Sequence, residues 1–439
     1  MAGDWKETTL GAEVDLLTGF PFKSEQYTDS ADSIPLVRGD NIVQGAMRWD
    51  GVKRWPISER GEYALYELRE GDVVLAMDRP WIEAGLKYAA ISKHDLPCLL
   101  VQRTARLRGG PKLNTGYLRY LIGSLEFTQH IHAITTGTAV PHISGRQIKD
   151  FTFALPPLTE QKAIAAVLGA LDDKIELNRR MNATLEAMAR ALFQSWFVDF
   201  DPVRAKLDGR KPIGLDEATA ALFPEHFAHT EHDILPIGWR RAAIEEVCAI
   251  NAWTLGKNDD LKMLEYVEIS EVSRGNIANI VTYPRGDEPS RARRHLLHGD
   301  TVLSTVRPDR GSYFLSLSPP VNRVASTGFA VLTPTKVPWS FLHAALTQPD
   351  VSDHLGQMAD GGAYPAVRPE TIGAMQVALP NEPKILDAFH CICGPLFEQA
   401  EANRIQSRTL ATLRDTLLPK LLSGELSVHE VAQAGGRAT

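Results

Sequence analysis

Residues 159–197 read TEQKAIAAVLGALDDKIELNRRMNATLEAMARALFQSWF, a stretch without proline and with a single glycine. Apolar residues recur in it with the seven-residue period of a coiled-coil helix. The first position of this repeat is held by Leu171, Asn178, Leu185 and Leu192, and the fourth by Met181 and Met188. A helix with such a stripe needs a partner that covers it.

A second stripe, from about Ile385 to Leu422, repeats the first one 225 residues further along the chain. Its first positions are Leu396, Asn403, Leu410 and Leu417, and its fourth positions are Gln406 and Leu413. Asn178 and Asn403 therefore occupy matching places, and a buried asparagine in such a seam costs stability in return for a defined register. We predict an intramolecular coiled coil pinned by these two residues; the alternative is that each asparagine lies at a solvated edge.

The repeat extends beyond the helices. GDVVLAMDRP at 71–80 returns as GDTVLSTVRP at 299–308, and each copy is typical of a turn followed by a short buried strand. Apolar spacing predicts one short helix around residues 117–130 and another around 341–354. The chain is therefore interpreted as a tandem duplication of a strand-rich α/β module followed by a long helix.

These patterns divide the chain into six segments. They are module 1 at 1–155, helical region 1 at 156–200, a linker at 201–231, module 2 at 232–381, helical region 2 at 382–426 and a tail at 427–439. Prolines and charged residues make the linker too polar for a core of its own. The predicted fold class is α+β, with two strand-rich α/β domains separated by two long helices that pack as a coiled coil.

Composition places the chain among soluble globular proteins. It has 439 residues, a formal net charge of −7 and four cysteines without disulfide or C-x-x-C spacing. Its N-terminus lacks an apolar signal core, and nowhere do 18 apolar residues follow one another. We expect a cytoplasmic protein with reduced thiols and no membrane contact.

Sequence signatures of catalysis are missing from the chain. It contains neither the G-x-x-x-x-G-K-[ST] phosphate loop nor the G-x-G-x-x-G nucleotide turn. His226, His229 and His232 form the tightest group of possible metal ligands, but Pro224 upstream favours a solvated loop. We therefore expect a non-catalytic chain without a metal.

Basic, polar and aromatic residues cluster instead on predicted loops of both modules. Arginine can bond a guanine edge and asparagine an adenine edge, while the backbone phosphates attract cations. The candidate DNA-binding residues are Arg38, Asn41, Arg79, Trp81, Thr136, Thr138, His142, Ser144, Arg146, Arg274, Asn276, Arg307, Arg310, Tyr364 and Arg368. Taken singly, each could be an ordinary surface residue, and Arg79 and Arg307 could serve only the turn before the shared proline.

Three segments, together with the repeated Gly-Asp-x-Val-Leu, resemble the specificity subunit of a type I DNA restriction-modification system. They are LPPLTEQKAIAAVLGALDDKIELNRRMNATLEAM at 155–188, SWFVDFDPVRAK at 195–206 and LRDTLLPKLLSGEL at 413–426. The resemblance covers nearly the whole chain and implies an antiparallel coiled coil with a pseudo-twofold repeat. It departs from the family at 379–384, where Pro383 stands at the place of the expected glutamine.

The resemblance implies a subunit without catalysis of its own and without a cofactor. Its expected partners are double-stranded DNA, two methyltransferase subunits that use S-adenosylmethionine to methylate adenine N6, and two restriction subunits that use ATP and Mg²⁺. Each module would read one half of a split target. A helix of this length, about 58 Å, exceeds the roughly 34 Å of one DNA turn. Because the modules differ outside their shared motifs, we expect the target to be asymmetric.

Three other functions remain open from the sequence. The chain could be the specificity subunit of a two-subunit nuclease-methyltransferase, which the proteins that copurify with it would distinguish. It could be a structural coiled-coil adaptor, in which case exchange of residues 1–155 would leave methylation sites unchanged. A self-contained methyltransferase or nuclease would require a cryptic active site.

Overall fold

The computed structural model contains two long helices, Leu158–Phe193 and Pro383–Leu422, each of which follows a strand-rich module. The residues described are 5–135, 141–229, 233–256, 259–362 and 364–431. They form two units, one from the described part of Met1–Ile175 with Arg408–Thr439 and the other from Glu176–Ser407. Each unit therefore contains one module and part of both long helices.

The first module is built on four groups of strands. An antiparallel pair joins Lys6–Thr9 to Thr152–Leu155. A four-stranded sheet has the order Val14–Thr18, Thr104–Gly109, Val73–Ala76, Tyr88–Ala90. A three-stranded sheet has the order Arg54–Pro56, Ser33–Val37, Leu99–Leu100, and a hairpin joins Trp81–Ile82 to Gly85–Leu86. The α-helices of the module are Leu10–Glu13, Thr115–Ile122, Leu125–Ile134 and Gly145–Lys149.

The second module repeats most of this order of elements, with a second four-stranded sheet in place of the three-stranded one. Its closing pair is Trp239–Ala243 with Gln376–Pro380. One four-stranded sheet has the order Cys248–Ile250, Phe329–Pro334, Asp300–Ser304, Tyr313–Ser316. The other has the order Val281–Pro284, Met263–Val267, Arg323–Ser326, Ala292–His295, and Val272–Ser273 pairs with Asn276–Ile277. The α-helices are Ile244–Val247, Trp339–Leu346, Pro349–Gln357 and Pro369–Gly373.

The repeated Gly-Asp motif has the same role in both modules. Gly71 and Gly299 adopt positive φ angles of 85° and 88°, which glycine reaches without the steric cost of a Cβ. The aspartate that follows accepts a backbone N–H three residues upstream, at 2.8 Å for Asp72 and 2.7 Å for Asp300. The motif is thus a closed turn that starts the central strand, as the sequence predicts.

The prediction of one short helix around residues 117–130 and one around 341–354 is wrong, because each stretch contains two helices. In the first module Ser124 breaks the helical run and its hydroxyl caps the second helix, at 3.1 Å from the N–H of Phe127. In the second module Pro349 begins the second helix, where its missing N–H costs nothing. Apolar spacing continues across both breaks, which is why the sequence pattern suggested one element.

The two long helices pack against each other through buried amides in the Glu176–Ser407 unit. The side-chain amide of Asn178 donates to Gln406 Oε1 at 2.9 Å and to the carbonyl of Asn403 at 3.2 Å. Four residues further on, Asn182 accepts from Asn403 Nδ2 at 2.9 Å and donates to the carbonyl of Ala400 at 3.0 Å. Because residue numbers rise on one helix as they fall on the other, the helices are antiparallel. Both predicted seam asparagines are buried rather than at a solvated edge.

Three of the four predicted fourth positions of the heptads are wrong, and the remaining one, Gln406, bonds Asn178 across the helices. Met181 and Met188 are 38% and 53% exposed, and Leu413 is exposed as well. Asn182 and Ala189 are buried in their stead, so the spacing from Asn178 to the next seam residue is four rather than three. Of the other predicted seam positions, Leu171, Leu185, Leu192, Leu396, Leu410 and Leu417 are all partly buried.

In the other unit, side chains connect the module to both long helices. Asp172 of the first long helix accepts from the hydroxyl of Tyr120 at 2.7 Å and from Arg414 of the second at 2.8 Å, and it also pairs with Arg119. Gln161 donates to the carbonyls of Lys112 and Pro156 and accepts the N–H of Asn114 at 2.8 Å. This buried glutamine is the one whose counterpart the second repeat lacks.

Residues 201–231 were predicted to be a polar linker, but their described part packs on a core. Phe200, Val203 and Phe223 are buried in the same apolar cluster as Trp196 and Phe389 of the long helices. The connector contains the helices Asp201–Leu207 and Glu217–Leu222 and the strand Phe227–His229, which pairs with Ile234–Pro236. Burial of a few large apolar side chains holds the connector on this core although most of its residues are polar.

Within the described residues, no helix is both long and apolar enough to cross a membrane.

Candidate nucleic-acid interface

Arg79 and Arg307 occupy the same place in the two modules, directly after the central strand. Both have left-handed backbones, with φ of 44° and 46°. Each N–H donates to a proline carbonyl of a later loop, from Arg79 to Pro141 at 2.7 Å and from Arg307 to Pro365 at 2.8 Å. A non-glycine residue in this conformation costs about 1–2 kcal/mol. The surrounding loop holds both arginines in this orientation against that cost.

The later loop is placed beside the arginine in the same way in each module. In the first, Ile143 donates to the carbonyl of Met77 at 2.9 Å; in the second, Val367 donates to Thr305 at 2.9 Å. The structure therefore brings together the two predicted loop regions of each module. This convergence supports assigning both arginines to a surface site, although each of them also closes a turn.

In the first module Arg79 lines a cleft of about 330 Å³ together with residues near Arg38 and Arg103. Its lining includes two carboxylates, Asp40 and Asp78, and several neutral residues. It also includes four cations, which are Arg38, Arg79, Lys87 and Arg103. Arg38 lies 3.6 Å from Asp40, and Arg103 donates to Asp78 at 2.6 Å. Positive charge therefore exceeds negative charge in the cleft.

Asp78 orients His142 at the edge of this cleft. Nδ1 of the histidine lies 2.6 Å from Oδ1 of Asp78. Burial raises the pKa of Asp78, but hydrogen bonds from His142 and Arg103 outweigh burial and hold the pKa below its ordinary value. The carboxylate is therefore ionised near neutral pH and fixes both neighbours.

Lys87 and Arg103 were not among the sequence-predicted residues. Both lie outside the repeated motif, and no local pattern marks them as part of a cleft. Burial lowers the pKa of Lys87; Asp40 opposes the effect, and Arg79 adds to it. The hairpin after Arg79 returns Lys87 to its side, where the Lys87 N–H donates to Pro80, and a more distant segment supplies Arg103.

Trp81 lies on the hairpin that follows Arg79, outside this cleft. Its indole ring packs on His132 of a neighbouring helix, with ring centroids 4.4 Å apart, and remains 38% exposed. Arg146 is exposed on the helix Gly145–Lys149. Both predicted residues are accessible to a ligand.

In the second module an aromatic ring lies beside the corresponding arginine. The guanidinium of Arg307 lies over the ring of Tyr364, 4.9 Å from its centroid, and Tyr364 is 73% exposed. A cation–π contact of this kind is worth about 0.5–1 kcal/mol at an exposed site. The stacked guanidinium and ring together form a flat surface that is open to solvent on the Tyr364 side.

The other predicted residues of the second module are exposed. Arg274 donates its N–H to Gly311 at 2.9 Å and has a left-handed φ of 42°. Asn276, Arg310 and Arg368 are exposed on nearby turns. Gly311 links Arg274 to the turn Pro308–Arg310, so part of the predicted set lies around one loop.

Two of the predicted DNA-binding residues, Asn41 and Ser144, form hydrogen bonds that stabilise their own loop or helix end. Asn41 is 5% exposed, and its amide accepts from the N–H of Arg38 and donates to the carbonyl of Arg48. Ser144 caps the helix Gly145–Lys149 in a reciprocal bond with Gln147. Their polar atoms already bond within their own segments, and their contact with DNA stays a prediction. Thr136 and Thr138 lie outside the described residues.

Metal binding has no candidate site in the described part of the chain. No group of three His, Cys, Asp or Glu side chains there could hold an ion. His226 and His229 lie at the strand Phe227–His229, and His232 is not among the described residues.

Comparison with known proteins gives a consistent relationship. A family model described as type I restriction modification DNA specificity domain matches residues 3–187. The EcoAI specificity subunit of Escherichia coli is 38% identical over 38% of this chain and 28% of its own length, so only a minor part of that relative is matched. The HindI specificity subunit of Haemophilus influenzae is 27% identical over 71% of this chain and 77% of that protein. The MjaIX specificity subunit of Methanocaldococcus jannaschii is 24% identical over 84% of this chain and 81% of that protein.

A solved structure supports the fold along the whole chain. The crystal structure of a type I restriction-modification S subunit from M. genitalium aligns with 95% of this chain and 96% of its own, with a TM-score of 0.55 and 16% identity. At that identity the likeness concerns the fold alone. It confirms the predicted architecture of strand-rich modules and long helices.

The matched DNA specificity domain covers the first module and most of the first long helix. These relatives are specificity subunits of type I restriction enzymes. The chain is therefore similar to the specificity subunits of type I restriction-modification systems.

Proposed function

We propose that the chain reads a split, asymmetric double-stranded DNA target, one half with each module. The observation that carries this proposal is the equivalent placement of Arg79 and Arg307 in chemically different surroundings. The same backbone position beside the same later loop fits a shared mode of approach to DNA. Different neighbours at that position favour different preferred sequences.

The side chains at the two sites suit DNA in different ways. Arg307 can form paired hydrogen bonds with a guanine edge, and its contact with Tyr364 limits its freedom before binding. Arg79 stands among other cations, a setting that attracts the phosphate backbone. We expect the second module to depend on Arg307 for base readout.

We further propose that the chain recruits catalytic partners. These are two methyltransferase subunits that use S-adenosylmethionine and two restriction subunits that use ATP and Mg²⁺. An exposed stripe on the first long helix supports docking of a helical partner. Its residues are Leu177, Met181, Thr184 and Met188, at the spacing of a second coiled-coil seam.

Mapping of methylated adenines in a host that carries the chain and its methyltransferase tests target reading. Arg307→Ala should relax one half of the mapped site, and Arg79→Ala should leave that half unchanged. Arg210→Ala, an exposed arginine paired with Asp208 on the connector, is the control and should change neither half. Loss of both halves in Arg307→Ala with normal folding would contradict reading by separate modules.

Copurification tests the partners. A methyltransferase and a separate ATP-dependent translocase should accompany the chain from its host. A single nuclease-methyltransferase would identify the two-subunit alternative.

A further inference from the structure

We infer that the cleft of the first module binds one DNA backbone phosphate between Lys87 and Arg79, and that this contact supplies affinity rather than sequence preference. The inference rests on the proposed function, because the phosphate is that of the target duplex. It adds the phosphate as a bound group and Lys87 as a contact residue. It also assigns nonspecific affinity to this cleft of the first module.

The charge distribution of the cleft favours an anion. Asp40 pairs with Arg38 and Asp78 pairs with Arg103, so each carboxylate already has a cation. Lys87 and Arg79 line the same cleft, and in the described part of the chain neither has an ion pair. A phosphate is the anion that DNA would bring to these two cations.

The cleft is also formed before a ligand arrives. The N–H of Lys87 donates to Pro80 at 2.7 Å, and its carbonyl accepts from Ala76 at 3.0 Å. Arg79 is held by its bond to Pro141. Opposite Lys87 lies Gly39, where a Cβ would stand 4.0 Å from the lysine Nζ. Both cations therefore have fixed backbones, and the glycine leaves space beside the ammonium.

The second module provides an internal comparison. Ser304 is the counterpart of Ala76 in the repeated strand. The backbone N–H of Ser304 donates to the carbonyl of Ser312 at 2.8 Å, as that of Ala76 donates to the carbonyl of Lys87. Ser312 therefore occupies the position that Lys87 has in the first module. Arg307, the counterpart of Arg79, lies over Tyr364. The second module thus lacks the lysine of this pair, and the phosphate site is specific to the first.

Salt dependence of DNA binding tests the inference. The full chain, copurified with its partner subunits, is titrated with duplexes carrying the mapped target or a scrambled sequence. Each neutralised phosphate contributes about 0.9 to the slope of log K against log salt. Lys87→Met should therefore make the slope shallower by about 1 on both duplexes. Lys87→Arg should retain the wild-type slope, and the methylated sequence should stay the same in both variants.

Lys93→Met is the matched control, because this exposed lysine follows the opposite end of the strand Tyr88–Ala90. It should leave the slope unchanged. Lys87→Met should fold normally, since it removes a charge that burial already disfavours. Unaltered thermal unfolding would confirm that the slope reports a lost contact.

Inorganic phosphate distinguishes the source of the anion. Phosphate added to the protein without DNA should bind only weakly, as seen from the Lys87 ammonium signal in NMR. Strong binding of inorganic phosphate together with an unchanged DNA slope in Lys87→Met would overturn the inference.

An unchanged slope with target preference intact would overturn the phosphate site but leave the proposed function standing. A shallower slope in a protein that never prefers its target would support the site and contradict the proposed function. A change in the methylated sequence in Lys87→Met would overturn the assignment of Lys87 to affinity.

Discussion

The two modules start their central strand with the same Gly-Asp turn, yet the buried carboxylate meets different partners. In the first module Arg108 bonds Asp72 through two nitrogens, each at 2.7 Å. At the equivalent position of the neighbouring strand the second module has Thr333, which donates to Asp300 at 2.7 Å. One scaffold thus contains a buried ion pair in one copy and a buried carboxylate without a cation in the other.

This difference shows which parts of the duplicated fold are constrained. Each aspartate must accept the backbone N–H that closes the turn. The second oxygen needs only a donor, and either a guanidinium or a hydroxyl satisfies it. Either donor completes the hydrogen bonding of the aspartate in this turn. The two modules can therefore differ in the charge of this neighbour while the backbone of the turn stays the same.

Breaking the ion pair should have the largest effect. Arg108→Met leaves Asp72, whose side chain is 2% exposed, as an unpaired buried charge. Loss of one partner of such a pair costs about 3–5 kcal/mol. We expect a lower urea midpoint for unfolding of the first module, and an unchanged midpoint would show that water reaches the carboxylate.

The pH dependence of stability should differ between the modules. Burial raises the pKa of Asp300 to about 6, against hydrogen bonds from Leu297 and Thr333 that lower it. An unfolded aspartate titrates near pH 4. Below that pH both states are protonated; as pH rises from about 4 to 6 the unfolded state ionises first, so stability of the second module falls, by up to about 3 kcal/mol.

Asp300→Asn removes this ionisation. Its oxygen can still accept from Leu297 and its amide can donate to Thr333. Urea unfolding followed from pH 4 to 7 should show a flatter profile than the wild type. Asp287→Asn, at an exposed carboxylate, should keep the wild-type profile, and an unflattened curve in Asp300→Asn would rule out Asp300 as its source.

Thr333→Val should have a smaller effect. It removes one hydrogen bond to Asp300 and leaves the backbone bond in place, at a cost of about 1–3 kcal/mol. Because the lost donor favoured the ionised form, the fall in stability should extend to higher pH than in the wild type. Calorimetry at pH 5 and pH 7 measures the difference.

Tyr364→Leu should have the smallest effect. It removes the aromatic face under Arg307 and about 0.5–1 kcal/mol of interaction. Discrimination at one half-site should fall by roughly two- to five-fold, while the slope of affinity against salt stays constant. Competition binding with single-base variants of the target would measure the ratio, and Tyr364→Phe should retain it.

The candidate site was only partly predictable. Arg79 and Arg307 stood out because a repeated strand and a proline flank both, and both lie at the converging loops. Asn41 resembled a base-reading amide, but its side chain closes its own loop. Lys87 was missed because its neighbours in the cleft come from distant parts of the chain.

The amino-acid sequence by itself determined the duplicated modules, the two long helices, the asparagines that pair between them and the resemblance to a specificity family. These features depend on local periodicity and repetition, which the order of residues displays directly. Tertiary structure alone decided that Asn182 and not Met181 faces the seam, that Phe200 and Phe223 anchor the connector, and that Lys87 joins Arg79 in one cleft. The physical reason is that side-chain burial and loop convergence depend on packing between segments far apart in the chain.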